Sequence, residues 1–298
     1  MNGINKMIIK TENLTKTFGK IKAVDKLSLE VKEGEVFGFL GPNGAGKTTT
    51  IRLLLDFIRP NSGNASIFGL DCQKNSLEIK KNIGYLAGDV RLYDQYSGEY
   101  LTKFLASLNG GLHKEWVNGL TRRFEIDMSR KVSDLSKGNK QKIGVLQALA
   151  NKPKLLILDE PTSGLDPLMQ VEFYKLMKEL KKEGTTIFMS SHVLSEVEKV
   201  CDRVGILKKG RLIALKNIEE LQREKARIVN IYFKETYRPE DFKLEGVEIQ
   251  EADKNHIHLI LRGEIDPLIR VMTKYRLRDV SFIEPDLEEV FLRYYEEK

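Results

Sequence analysis

Cysteine is scarce. The chain has two, Cys72 and Cys201, far apart and without metal-type spacing. That excludes a disulfide framework and a zinc module, and the plain reading is a reducing cytoplasm. Long apolar runs are missing as well: none approaches the ~18 residues of a membrane-spanning helix. The first ten residues, Met1 to Lys10, hold no signal-peptide core. Internal repeats and low-complexity tracts are lacking, so a solenoid or a disordered tail is not expected. Charge of one sign does not dominate either. The net charge is +6 with a pI near 9.0, but lysines and arginines are scattered among carboxylates. Such mixing describes a solvated surface rather than a nucleic-acid or anionic-membrane face, so no nucleic-acid partner is expected. Hydrophobic residues make up 41% of 298, enough to build one large or two modest cores.

Against this background one stretch stands out, Gly41-Pro42-Asn43-Gly44-Ala45-Gly46-Lys47-Thr48-Thr49. It fits the phosphate-binding P-loop pattern G-x-x-x-x-G-K-[ST]. An apolar run of strand type, Glu35 to Leu40, precedes it. Ile51, Leu54, Leu55 and Ile58 follow at helical spacing as far as Arg59-Pro60. Glycines let the backbone curl so that successive N–H groups converge on phosphate oxygens, and the helix N-terminus adds partial positive charge. Lys47 would reach the β- and γ-phosphates, and the Thr48 hydroxyl would ligate Mg²⁺. On its own the motif specifies only a nucleoside triphosphate.

Further along, Leu155-Leu156-Ile157-Leu158-Asp159-Glu160-Pro161 reads as a buried parallel strand with two carboxylates at its C-terminal end. In a P-loop protein the first, Asp159, holds Mg²⁺, and Glu160 is placed as a general base for water. Ser163-Gly164-Leu165-Asp166 is a tight loop in which Asp166 caps a helix with Pro167 at its first position. Residues 185–192 form another strand, ending in His192, a donor to a γ-phosphate. Leu135-Ser136-Lys137-Gly138-Asn139 opens a helix. Ser136 and Gly138 there read either as an ordinary cap or as a second anion site. Phe18 is either a core aromatic or a ring for stacking on adenine.

The remaining organisation is coarser. Residues 8–12 and 27–31 are expected as short strands, and 61–64 as a turn. Residues 98–124 are helical, with Leu101, Phe104, Leu105 and Leu108 forming a packed stripe that Trp116, Leu120 and Phe124 continue. Residues 204–215 read as a hairpin. Beyond about residue 218 the phosphate motifs stop. Strands at 227–233 and 256–262 and helices opening at Asp266-Pro267 and Pro285-Asp286 make a small α+β unit, with Asp286 and Glu289 in a capping-box pattern. His256 and His258 share a strand face without a third ligand, so a metal is not expected there.

The order P-loop, Ser-Gly helix start, strand-Asp-Glu, Asp loop and strand-end His resembles the ATP-binding subunit of ABC transporters, across about residues 8–215. By that resemblance, Lys47 matches the Walker A lysine, and Asp159 and Glu160 match the Walker B aspartate and the catalytic glutamate. Residues 163–166 match the D-loop and His192 the switch histidine. Residues 135–139 match the signature LSGGQ, with Lys137 and Asn139 as departures. Phe18 sits where an adenine-stacking aromatic is found. At the Q-loop position Gly88, followed by Asp89, stands in place of glutamine.

The resemblance implies an α/β fold. A P-loop ABC ATPase core with an antiparallel β subdomain and a helical subdomain (about 98–150) would occupy residues 1–217. A small C-terminal α+β domain would occupy 218–298. It also implies ATP and Mg²⁺ as ligands and a homodimer that closes around ATP. The partner would be a polytopic permease of ABC-2 type, mostly exporters, met at the cytoplasmic face of the cell membrane. The alternative is a soluble ABC ATPase without a transport role. Such translation factors carry two cassettes and such repair proteins a long coiled coil, and this chain has neither.

Overall fold

A computed structural model describes residues 6–108, 111–223 and 227–283. The contacts divide the chain into Met1–Leu215 and Lys216–Lys298. The first unit opens with β1 (Met7–Phe18) and β2 (Ile21–Lys32), a hairpin turning at Gly19-Lys20. The short strands expected at 8–12 and 27–31 thus grow to 12 residues each, because they pair along nearly their whole length. β3 (Val36–Leu40) is buried at every position, as its unbroken apolar run requires. α1 (Lys47–Leu54) follows, ending one turn earlier than the apolar spacing suggests, with Asp56 at a φ of 52° just beyond it.

The expected turn at 61–64 is instead the start of β4 (Ser62–Ile67). Long-range pairing overrides the local turn signal. Ser62 pairs with Thr15 and Asn64 with Glu12, while the side chain of Asn61 accepts the Thr17 N–H at 2.8 Å. With β5 (Leu70–Asp71) these strands make a four-stranded antiparallel sheet in the order β2-β1-β4-β5.

After α2 (Ser76–Lys80) comes β6 (Ile83–Leu86), then the helical part: α3 (Gly98–Ser107), α4 (Lys114–Arg123) and α5 (Lys137–Leu149). The expected stripe does not pack as a whole. Leu101, Leu120 and Phe124 are buried, but Phe104, Leu105 and Leu108 are 50%, 43% and 66% exposed. α3 turns Leu101, Thr102 and Ala106 inward instead, which puts Phe104 and its neighbours on the outer surface. Trp116 of α4 reaches α5 by donating its indole N–H to Leu149 O at 2.8 Å.

β7 (Leu155–Asp159), α6 (Pro167–Lys182), β8 (Thr186–Ser191), α7 (Leu194–Val200), β9 (Arg203–Lys208) and β10 (Arg211–Asn217) complete the core. The second sheet is six-stranded in the order β10-β9-β3-β8-β7-β6. Strands β9, β3, β8, β7 and β6 run parallel. Phe188 of β8 packs between Phe37 and Phe39 of β3, with ring centroids at 5.8 and 5.2 Å. Asp166 caps α6 by accepting the Met169 N–H at 3.0 Å, with Pro167 at the first helical position. Parallel strands of this kind present their carboxyl ends as the place for a ligand, and here β3, β7 and β8 lead directly into Gly41, Glu160 and His192.

The second unit holds α8 (Ile218–Arg223), β11 (Arg227–Phe233), β12 (Val247–Ala252), β13 (His256–Leu261), α9 (Asp266–Met272) and β14 (Leu277–Ile283). Its antiparallel sheet has the order β12-β13-β11-β14. Val229, Ile231, Ile257 and Leu259 form its core with Leu268 of α9. His256 and His258 both turn to the side-chain oxygen of Asn230, at 3.4 and 2.6 Å. Among the described residues no group of three or more His, Cys, Asp or Glu is arranged to hold a metal ion. The helix expected from Pro285 and the Asp286–Glu289 capping box lie outside the described residues. Among the described residues, no helix is long and apolar enough to cross a membrane.

Candidate active site

The loop of residues 41–46 leaves β3 through Gly41, whose N–H donates to Ser191 O at the end of β8, 3.2 Å away. The Ala45 N–H folds back to Pro42 O at 3.1 Å. Gly46 caps α1 at a φ of 108°, and a Cβ there would come within 2.3 Å of Ala23 O, so only glycine fits. Pro42, Asn43 and Gly44 form the exposed outer edge, while Ala45 and Gly46 are buried. Lys47 is 5% exposed. Its ammonium sits inside the curl of the loop, donating to Gly41 O at 2.6 Å and Pro42 O at 3.2 Å. Thr48 and Thr49 stand half-buried at the mouth, and the N-terminus of α1 points its free N–H groups into the same space.

Asp159 at the end of β7 is 2% exposed and fully engaged. Oδ2 accepts the Thr48 hydroxyl at 2.8 Å and Oδ1 the Ser190 hydroxyl at 2.5 Å. Ser190 was not singled out in the sequence. A pair of serines closing an otherwise apolar strand is the signal that marks it. Glu160 adopts a φ of 49°, rare for a residue with a side chain and costing about 1–3 kcal/mol. Its N–H is held by Ser190, at 3.3 Å to the carbonyl and 3.1 Å to the hydroxyl. This backbone turns the carboxylate toward the loop. One oxygen lies 3.2 Å from the Lys47 ammonium, and the other is hydrogen-bonded to Nδ1 of His192. A carboxylate only accepts, so Nδ1 carries the proton.

Lys47, Thr48, Asp159, Glu160 and His192 are therefore brought together. Gly88 joins them: a Cβ at this position would lie 3.4 Å from both Asp159 O and Oδ2. Asp89 lines the same cleft, paired with Arg91 at 2.8 Å. Arg52 and Tyr85 also face it and were not foreseen. The Tyr85 hydroxyl is pushed up, chiefly by burial and then by the charge of Asp159. Thr48 and Asp159 are hard oxygen donors of the kind Mg²⁺ takes together with water and phosphate oxygens, so this pair suits that ion.

Ser136 and Gly138 lie elsewhere. Ser136 caps α5 by accepting the Asn139 N–H at 3.3 Å. Gly138 packs so closely on Gly164 that a Cβ would come within 2.6 Å of its carbonyl oxygen. Lys137 lays its stem on the same glycine. The start of α5 and the loop of residues 163–166 thus form one continuous surface. Phe18 is 50% exposed at the tip of the β1–β2 hairpin, with the Lys16 ammonium 5.2 Å from its ring centre. It is not a core residue.

A family model described as ABC transporter matches residues 24–163. The bacitracin transport ATP-binding protein BcrA of Bacillus licheniformis is 36% identical over 299 residues, covering 96% of this chain and 96% of that protein. An uncharacterized ABC transporter ATP-binding protein of Methanocaldococcus jannaschii, MJ1023, is 37% identical over 279 residues, covering 91% and 97%. Among solved structures, an ATP-binding subunit of an ABC transporter superposes with a TM-score of 0.68 at 29% identity, over 72% of this chain and 92% of its own. Another, cbiO1 of Clostridium perfringens, part of the ABC transporter complex cbiONQ, gives 0.62 at 30% identity over 72% and 90%.

Proposed function

The chain belongs to the ABC transporter family as one of its ATP-binding, ATP-hydrolysing subunits, and from that premise we propose how its site works and what it drives. The observation that carries the proposal is the convergence of Lys47, Glu160 and His192 beside the Thr48–Asp159 pair. Residues 41–49 hold the triphosphate through backbone N–H groups and the Lys47 ammonium. Thr48 and Asp159 hold Mg²⁺, which when bound neutralises charge on the phosphates. Glu160 polarises the attacking water, a role worth ~10²–10⁴ in rate. Phosphate oxygens arriving at Lys47 compete with Glu160 for the same ammonium. They draw the Nδ1–H of His192 towards the γ-phosphate as well. Binding therefore frees the carboxylate that the water needs. Phe18, half exposed, is available to stack on adenine.

The start of α5 would cap the γ-phosphate bound by a second copy of the chain through Ser136 and Gly138. Closure of this homodimer around ATP shifts the population of the attached permease. Residues 1–217 carry this machinery and residues 218–298 are an accessory domain. The partner is a separate polytopic permease of ABC-2 type at the cytoplasmic face of the cell membrane, and the direction is export, in line with the likeness to a bacitracin transport protein. The exposed ladder of Tyr96, just before α3, and Tyr100 and Phe104 on it, with ring centroids 4.6 and 6.5 Å apart, is suited to receive a permease loop.

Affinity purification of the full chain from its own membranes tests this. A polytopic membrane protein should co-purify in stoichiometric amount and its transport should require Glu160. Recovery of an active ATPase bound instead to ribosomes or DNA would favour the non-transport role.

A further inference from the structure

Glu196 lies on α7, outside the cleft around Lys47 and Asp159. Its carboxylate accepts hydroxyls from two different segments of chain. The Thr162 hydroxyl donates to Oε1 at 2.5 Å and the Ser191 hydroxyl to Oε2 at 2.6 Å. Thr162 is 3% exposed and Ser191 fully buried, so neither hydroxyl has water as a substitute partner; the Ser191 hydroxyl also lies 3.2 Å from Val193 O and accepts the Val193 N–H at 2.9 Å. Bonds to an ionised acceptor are shorter and stronger than neutral ones.

The positions of the two donors give this arrangement its meaning. Thr162 follows Glu160 across one intervening residue, Pro161, and Ser191 immediately precedes His192. Ser191 O is also the acceptor for Gly41, where the phosphate loop begins. Glu196 itself stands on firm ground: its neighbour Val197 packs so tightly under β3 that a Cβ on Gly38 would lie 2.6 Å from it. One rigid carboxylate therefore ties the chain just after Glu160 to the chain just before His192.

We propose that Glu196 is a positioning residue for hydrolysis, setting the separation of Glu160 and His192 without touching nucleotide. This rests on the assignment of Glu160 to the hydrolytic step. Catalytic geometry is sensitive: a displacement of about 1 Å can cost about 10² in rate. Removing Glu196 leaves the Thr162 hydroxyl without its acceptor and the Ser191 hydroxyl with Val193 O alone, and the effect falls on turnover rather than on nucleotide binding, because the bond from Gly41 to the Ser191 carbonyl and the loop's own bonds remain.

The experiment uses the full chain and the variants Glu196→Ala, Glu196→Gln, Thr162→Val, Glu160→Gln and the double variant Glu196→Ala/Glu160→Gln. Phosphate release gives kcat and KM, equilibrium binding of a fluorescent ATP analogue gives affinity, and single-turnover release gives the residual rates of slow variants. For Glu196→Ala the expected result is a fall in kcat of about tenfold or more with affinity nearly unchanged. Glu196→Gln, which keeps one carbonyl acceptor, should recover part of it. In the Glu160→Gln background the same substitution should add little, since both act through one group. Unchanged kcat, a loss fully additive with Glu160→Gln, or a loss matched by affinity would each overturn the inference. If Glu196→Ala does not fold, Thr162→Val severs one of the two ties and is judged by the same outcomes. Near wild-type turnover in Glu160→Gln alone would remove the premise. A dead Glu160→Gln beside a fully active Glu196→Ala would sink only the positioning role.

Discussion

The ammonium of Lys47 stands 3.2 Å from Oε1 of Glu160, joining the loop after β3 to the end of β7. The cation that the phosphate loop offers to a ligand is thus shared with the carboxylate assigned to water. Under the proposed roles, nucleotide affinity and the readiness of Glu160 are linked through one side chain.

The Thr48–Asp159 contact at 2.8 Å predicts a metal phenotype. In Asp159→Asn the Mg²⁺ concentration for half-maximal turnover should rise by at least about 10–100-fold, the cost of removing even an outer-shell partner of a metal. ATP binding measured in EDTA should change little. A titration of phosphate release against Mg²⁺ decides it, and an unaltered requirement would count against Asp159 as a ligand.

Ser136 caps α5 on the surface shared with Gly164. Filling that surface with Ser136→Phe should abolish turnover and leave ATP affinity close to that of the unmodified chain, because the Lys47 loop is untouched. Lys47→Ala should instead weaken binding directly by removing a charge-assisted phosphate contact. Paired binding and phosphate-release measurements separate the two. Near-normal turnover in Ser136→Phe would mean that the start of α5 takes no part.

Much of this site can be read from the chain because its strands announce themselves. β3 and β7 are unbroken apolar runs ending directly in the loop glycines and in Asp159-Glu160, so position along the chain equals position in space. Elsewhere local signals mislead. Asn61 to Asn64 has turn chemistry, yet pairing with β1 draws Ser62 to Asn64 into β4. The stripe on α3 looks like core, but only Leu101 of its four members is buried. Ser190 and Glu196 were invisible for another reason. Ser190 bonds Asp159, 31 residues away, and Glu196 joins nearby Ser191 to Thr162, 34 residues away, and no local periodicity encodes such bonds. The strands β12 and β14 were missed because charged residues interrupt their alternation.

Two glycines give opposite stability predictions. Gly138→Ala places a Cβ 2.6 Å from Gly164 O and should destabilise by about 1–3 kcal/mol, the usual cost of overpacking. Gly119 on α4 has nothing within 4 Å of its Cβ position, so Gly119→Ala should be stabilising by about 0.5–1 kcal/mol. Thermal unfolding should show Tm moving down for the first and up for the second. A fall for both would mean that the close approach at Gly138 is not the cause.

Both cysteines are buried and unpaired. Burial pushes the Cys72 thiol up to about 12, with the charges of Asp71 and Asp56 adding to it, and raises Cys201 well above its ordinary value. The thiolate is the reactive form, so at pH 8 both should resist iodoacetamide in the folded protein and react only after denaturation. Mass spectrometry of the native and denatured protein checks this, and rapid native labelling of either would contradict the packing.

Glu160 is proposed to serve the chemistry and not the binding of ATP. The direct measurement is phosphate release by Glu160→Gln set beside its ATP affinity and its state of association by light scattering. The amide keeps the shape of the side chain and gives up the charge shared with Lys47. The expected result is turnover lower by ~10²–10⁴, ATP bound at least as tightly as by the unmodified chain, and a dimer that persists while ATP is present. Turnover close to that of the unmodified chain would contradict it.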